Sequence, residues 1–202
     1  MRSYYELTDD GLSVKKFEVG TFENNIYLLR DTATNEAYVV DAGYEPEAIA
    51  EAVRGAKVLG ILITHGHKDH HEHVRQVRDL IGAPVGVGKD DVDLLEVHDF
   101  TIADGDRLRF GSQELTAIHT PGHTPGSTCF YVPGRVITGD TLFPGGPGNT
   151  NHDPVRFAQI VKSIRERLFT LPHDTAILPG HGQDSTIGSE QPHLDEWIAR
   201  GW

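Results

Sequence analysis

The chain has 202 residues and carries 30 acidic against 18 basic side chains, a formal net charge of −12. That excess, without any cluster of Lys and Arg, opposes a phosphate backbone and excludes nucleic acid as a partner. Hydrophobic residues at 38% and charged residues at 24% are ordinary globular values, so no segment is expected to be disordered. The length fits one domain spanning residues 1–202. No apolar run approaches a membrane span, and the N-terminal stretch lacks the apolar core of a signal peptide, which predicts a cytoplasmic protein with no membrane partner. The single cysteine, Cys129, lies in the apolar segment Ser127 to Val132 and reads as a buried thiol.

In chain order, Ser13 to Val19, Asn25 to Leu29 and Ala37 to Asp41 read as three short strands of an antiparallel meander, separated by turn-rich stretches. Pro46 opens a helix with Ile49, Ala52 and Val53 at helical spacing, and Gly55 stops it. The continuous apolar run Val58 to Ile63 predicts a buried strand. Next come a helix over His73 to Leu80, with Val74, Val77 and Leu80 on one stripe, and a strand over Ala83 to Val87. Further strands are expected at Arg107 to Phe110, Glu114 to His119, Ser127 to Val132 and Arg135 to Thr138. A long helix follows from Pro154 to about Phe169, burying Phe157, Ile160, Val161, Ile164 and Leu168, and Thr175 to Leu178 forms a last strand. Two mixed-sheet halves flanked by helices make a layered α/β sandwich.

Five of the twelve histidines fall between residues 65 and 73, directly after the buried strand, in Thr64-His-Gly-His-Lys-Asp-His-His-Glu-His73. His65 and His67 are two apart in an extended loop and point to one side, and Asp69 and His70 follow where a helix begins. Neutral imidazole and carboxylate are ligands that zinc accepts at about 2.0–2.2 Å. The helical two-histidine metalloprotease motif does not apply, because Lys68 stands where its glutamate belongs and Gly66 weakens a helix. Three more ligand types stand at the ends of later strands: His123 in Thr120-Pro-Gly-His-Thr-Pro-Gly-Ser127, Asp140 after Arg135 to Gly139, and His181 in Pro179-Gly-His-Gly182. Together they predict a metal centre for hydrolysis.

With these motifs the chain resembles the metallo-β-lactamase fold superfamily, and within it the glyoxalase II-related hydrolases. The resemblance runs from Val40-Asp-Ala-Gly43 through Thr64 to His70, His119-Thr-Pro-Gly-His123 and Gly139-Asp-Thr-Leu142 to Gly180-His-Gly182. It implies a four-layer αββα sandwich of two mixed sheets, and a site with two zinc ions, iron or manganese being the other metals such a site accepts. By that resemblance His65, His67 and His123 hold the first metal, Asp69, His70 and His181 the second, and Asp140 bridges them. Asp69 and Asp140 would also position the attacking water, while Asp41 would orient a ligand imidazole or be an ordinary turn residue.

The implied activity is hydrolysis of a small thioester, ester or lactone by metal-activated water, with a small molecule as the only partner and no oligomeric state assigned. The alternatives are an iron-dependent persulfide dioxygenase, using one iron at His65, His123 and Asp140, and a non-catalytic metal-binding module. Departures narrow the reading. The β-lactamases of the superfamily place a cysteine at the metal or lack the bridging aspartate, so antibiotic hydrolysis is not expected. Only 21 residues follow His181, too few for the helical glutathione-binding region of glyoxalase II, and the segment Phe143 to His152 lacks a basic residue. Gly145 to His152 is expected to form a mobile rim with Asn149, Asn151 or His152 near the substrate, or else a plain loop in which none of them has a role. His71 and His73 read as helix-surface or supporting residues, as do His98, His119, His152, His173 and His193.

Overall fold

The computed structural model describes residues 2–201. Its first sheet has seven strands in sequence order: β1 (Arg2–Asp9), β2 (Leu12–Val19), β3 (Asn24–Asp31), β4 (Glu36–Val40), β5 (Lys57–Ile63), β6 (Val85–Gly88) and β7 (Phe100–Ile102). The pairs from β1 to β4 are antiparallel and those from β4 to β7 parallel. The parallel pairs need crossovers, supplied by helix α1 (Pro46–Ala52), by α2 (Lys68–His71) with α3 (Val74–Ile81), and by a 3₁₀ turn over Lys89–Leu94.

The second sheet contains β8 (Arg107–Phe110), β9 (Gln113–His119), β10 (Thr128–Val132) and β11 (Arg135–Gly139) as a meander. A two-stranded ribbon, β12 (Leu142–Phe143) with β13 (Gly146–Pro147), precedes helix α4 (Pro154–Ser163), which runs on through a π turn over Ile164–Leu168. Strand β14 (Ala176–Pro179) lies parallel to β11, and β15 (Ser185–Thr186) pairs with β14 at the edge. Helices α5 (Ile187–Glu190) and α6 (Leu194–Arg200) follow.

Alternation along the strands creates three apolar layers. Tyr27, Leu29, Tyr38, Val40 and Leu62 of the first sheet meet Leu115, Ala117, Phe130 and Ile137 of the second between the sheets. The opposite faces, with Ile26, Val39, Ile61 and Ile63, pack under Ile49 of α1 and Val74 and Val77 of α3. Val136 and Ile177 pack under Ile160 and Val161 of α4 and Trp197 of α6. Helix, sheet, sheet, helix is the four-layer αββα sandwich expected.

Three expectations need correction. The first-sheet meander has a fourth strand, β1, and the sequence reading missed β7, β15 and both C-terminal helices. Leu80 is 53% exposed rather than on the buried stripe of α3, where Ile81 takes its place because positions 74, 77 and 81 share a narrower arc. The long helix after Pro154 is α-helical only to Ser163, although Phe157, Ile160, Val161, Ile164 and Leu168 do form its inner face. Among the described residues no helix is long and apolar enough to cross a membrane.

The topology collects strand ends at one edge. Strands β4 and β5 are parallel; β9 and β11 both oppose β10 and so share a direction, which β14 follows. The two sheets are tied together at this edge, where Thr128 N–H donates to Thr64 O at 2.8 Å, Asn25 N–H to Gly180 O at 2.7 Å and Tyr27 Oη–H to Pro179 O at 2.7 Å.

Candidate metal centre

Each predicted donor follows one of those strand ends. His65 and His67 lie in the loop after β5, Asp69 and His70 in the first turn of α2, His123 in the loop after β9, Asp140 after β11 and His181 after β14. The structure brings all seven together. Donor atoms of His65, His67 and His123 lie within 4.8 Å of one another, as do those of Asp69, His70 and His181, and those of His65, His70 and Asp140. The Asp140 carboxylate spans the cluster, with Oδ1 3.4 Å from His70 Nε2 and Oδ2 3.5 Å from His123 Nε2 and 3.7 Å from His181 Nε2.

Hydrogen bonds behind the rings fix which nitrogens face inward. His70 Nδ1–H donates to Asp41 Oδ2 at 2.8 Å, His123 Nδ1–H to Asn149 O at 2.8 Å and His181 Nδ1–H to Phe22 O at 2.8 Å. His65 Nδ1 is 3.0 Å from Thr64 Oγ1, whose own hydrogen goes to Asp41. In the neutral form of these four rings the proton therefore sits on Nδ1 and Nε2 faces the centre, whereas His67 turns Nδ1 inward. The inward nitrogens lie close together: His123 Nε2 is 2.8 Å from His67 Nδ1, and His70 Nε2 is 3.2 Å from His181 Nε2. His65 Nε2 and Asp140 Oδ1 are buried with no hydrogen-bond partner among the described residues. Imidazole nitrogens and carboxylate oxygens gathered at these distances are a donor set that suits divalent cations.

Electrostatics divides the rings, and at His181 burial is outweighed by the Asp69 hydrogen bond and the Asp140 charge, which raise the pKa. Burial pushes the pKa of His65, His67 and His123 down, that of His123 to about 4, which leaves these rings neutral. Burial also acts on His70, but the Asp140 and Asp41 carboxylates outweigh it and raise its pKa well above the usual imidazole range. A divalent cation held by these residues would compensate the same carboxylates in place of that proton. Asp69 and Asp140 are themselves held below the usual carboxylate range: burial opposes ionisation, but His181 and His70 outweigh it at Asp69, and chiefly His70 at Asp140.

Asp41, open between two roles in the sequence, is a buried hub. Its Oδ1 accepts from Thr64 N–H at 2.8 Å while Oδ2 holds His70. Gly43 allows α2 to approach, since a Cβ there would lie 1.7 Å from the Asp69 carbonyl oxygen. Asn24 Nδ2 donates to Asp69 Oδ2 at 3.0 Å, a support that no pattern in the sequence marks. In the Gly145 to His152 segment, Asn149 acts through its carbonyl on His123, a contact that residue type does not announce.

The remaining histidines lie outside the donor groups. His71 is buried with Nε2 3.2 Å from Gly66 O, His73 packs edge-on to Tyr44, His119 reaches Pro125 O and His193 pairs with Glu196. Cys129 is buried among the residues under α4, where burial raises its thiol pKa to about 11.

A family model described as the metallo-beta-lactamase superfamily matches residues 19–181. A hydroxyacylglutathione hydrolase of Cereibacter sphaeroides is 37% identical over 164 residues, 79% of this chain and 62% of that protein. Among solved structures, the BLEG-1 B3 metallo-beta-lactamase superposes with a TM-score of 0.81 at 28% identity, covering 90% of this chain and 97% of that one. TTHA1623, solved in a di-iron-bound form, superposes with a TM-score of 0.76 at 30% identity over 87% of this chain and 96% of its own. On the strand-end donors and a family match that spans all seven of them, the chain belongs to the metallo-β-lactamase superfamily.

Proposed function

We propose that this protein is a dinuclear metal-dependent hydrolase of small thioesters, esters or lactones. The observation that carries the reading is the convergence of three imidazole nitrogens on the two oxygens of the Asp140 carboxylate, His70 at Oδ1 and His123 and His181 at Oδ2. His65, His67 and His123 would hold one ion, Asp69, His70 and His181 the other, and Asp140 both. When bound, such ions polarise a carbonyl and lower the pKa of water toward about 7.

The side chains supply the rest. Asp69 and Asp140, ionised at neutral pH, orient the attacking water and accept its proton. Asn24 keeps the Asp69 carboxylate turned toward His181, whose Nε2 is 3.3 Å away. Cys129 does not serve as a nucleophile, being buried in the core as the thiol. A thiol leaves without a general acid, because its pKa of about 8.5 makes the thiolate a stable leaving group, which favours thioesters.

Elemental analysis of protein purified without added metal, with thioester and oxygen-uptake assays, tests the proposal. Close to two equivalents of zinc and thioester turnover are expected, and a di-iron-bound relative makes iron the other metal to measure. A single iron with oxygen consumption on glutathione persulfide would overturn it.

Two smaller effects follow. Alanine at His71 or His73 should leave metal content unchanged, since neither belongs to a donor group, and a loss like that of His67→Ala would show the cluster misassigned. S-lactoylglutathione should be hydrolysed with little preference over the same acyl group on a simple thiol. The Phe143 to His152 segment has no basic residue to grip glutathione, and Arg156 is engaged with the Gly122 and His123 carbonyls. With no anchor to reward glutathione, kcat/KM should be low and similar for the two esters, and a preference above roughly 100-fold, about 2.7 kcal/mol, would reveal a dedicated glutathione site.

A further inference from the structure

The first three donors come from two different sheets. His65 and His67 follow β5 of the first sheet, and His123 sits between β9 and β10 of the second, so their spacing depends on what joins the two loops. One buried carboxylate does so. Asp91, in the 3₁₀ turn Lys89–Leu94, has no exposed surface. Its Oδ2 accepts from Gly66 N–H at 2.8 Å, between the two histidines, and from Thr124 Oγ1–H at 2.6 Å, directly after His123. Its Oδ1 accepts from Gly126 N–H at 2.7 Å. Thr124 is held in turn, its N–H donating to Ser127 Oγ at 3.0 Å. The fit is close enough that a Cβ on Gly126 would lie 2.6 Å from the Asp91 carboxyl carbon.

No basic side chain contacts Asp91 among the described residues, so its charge rests on these three donors alone. Taking a carboxylate out of water costs several kcal/mol, and apolar packing would glue two loops without that cost. What the carboxylate adds is direction: charge-assisted bonds fix where the N–H groups of Gly66 and Gly126 point, and hence how the flanking histidines are set. We propose that Asp91 is a positioning residue that sets His65 and His67 against His123, and so preorganises one of the two metal positions without touching a metal. The inference rests on the dinuclear reading.

The experiment is a cobalt titration of the metal-depleted full chain, followed by visible absorption and chelator competition, for wild type, Asp91→Asn and Thr124→Val. Thermal unfolding of each metal-free form is measured alongside. His67→Ala identifies the spectral signature of the first position. Asp91→Asn should weaken one equivalent at least about tenfold, the one lost in His67→Ala, and leave the other unchanged, as outer partners of metal ligands do. Thr124→Val removes a single hydroxyl and keeps the backbone contacts, so it reports where Asp91→Asn fails to fold; about fivefold weaker binding at the same position is expected. Equal weakening of both equivalents would make Asp91 a general support and overturn the proposal, as would native affinity at both in the two variants. Fewer than two equivalents in the wild type would instead overturn the dinuclear reading, and the inference with it.

Discussion

Asp140→Ala is expected to lower metal occupancy at both positions together and to reduce kcat/KM for thioester hydrolysis by at least about 10³-fold, roughly 4 kcal/mol of transition-state stabilisation. The geometry explains why one side chain should have so wide an effect. Its two oxygens face different imidazoles, Oδ1 toward His70 and Oδ2 toward His123 and His181, at 3.4, 3.5 and 3.7 Å. Without it both positions lose a shared anionic ligand, and two cations held close together would repel each other with one fewer anion between them. Asp140→Asn separates charge from shape: it keeps the volume and one acceptor oxygen, so it should retain more metal than alanine while losing nearly as much activity. Elemental analysis and steady-state kinetics on the same preparations decide the matter. Loss of one equivalent with full retention of the other would argue against Asp140 as the bridge.

How much of this was legible in the sequence depends on where each residue's role comes from. The seven donors stand out because their types are chemically specific and because each follows a strand that its apolar pattern betrays, as His65 follows Val58 to Ile63 and Asp140 follows Arg135 to Thr138. The supporting residues do not stand out. Asp91 sits in Lys89-Asp-Asp-Val-Asp93, where three carboxylates look alike, and only the packing of the 3₁₀ turn against two loops from different sheets buries one of them. Asn149 contributes a carbonyl that every residue owns. The same distinction holds for the fold. Apolar runs bounded by turn-rich stretches were readable as strands, whereas β7, Phe100–Ile102, and β15, Ser185–Thr186, are too short to stand out and exist because a neighbouring strand offers its edge.

Asp41→Asn should weaken metal binding about 10–100-fold, roughly 1.4–2.7 kcal/mol, chiefly at the position served by His70. Asp41 follows β4 with φ +66°, a left-handed conformation that asparagine also tolerates, so the substitution adds little backbone strain. The carbonyl of the new amide can still accept from Thr64 N–H, which keeps the loop after β5 in place. The amide nitrogen, however, is a donor where the native Oδ2 accepts from His70 Nδ1–H at 2.8 Å. Two donors then face each other, and the buried His70 ring relieves the clash by moving its proton to Nε2, the nitrogen that faces the other donors. The ring is left in place but in the wrong tautomer for coordination. Asp41→Gly, which suits the same φ but removes both acceptors, should add a loss of thermal stability in the metal-free form that Asp41→Asn does not show. Chelator competition on the metal-loaded variants, with unfolding of the metal-free ones, separates the two contributions. If Asp41→Asn bound both equivalents as tightly as the wild type, the hydrogen bond to His70 would have no part in setting the metal-facing nitrogen.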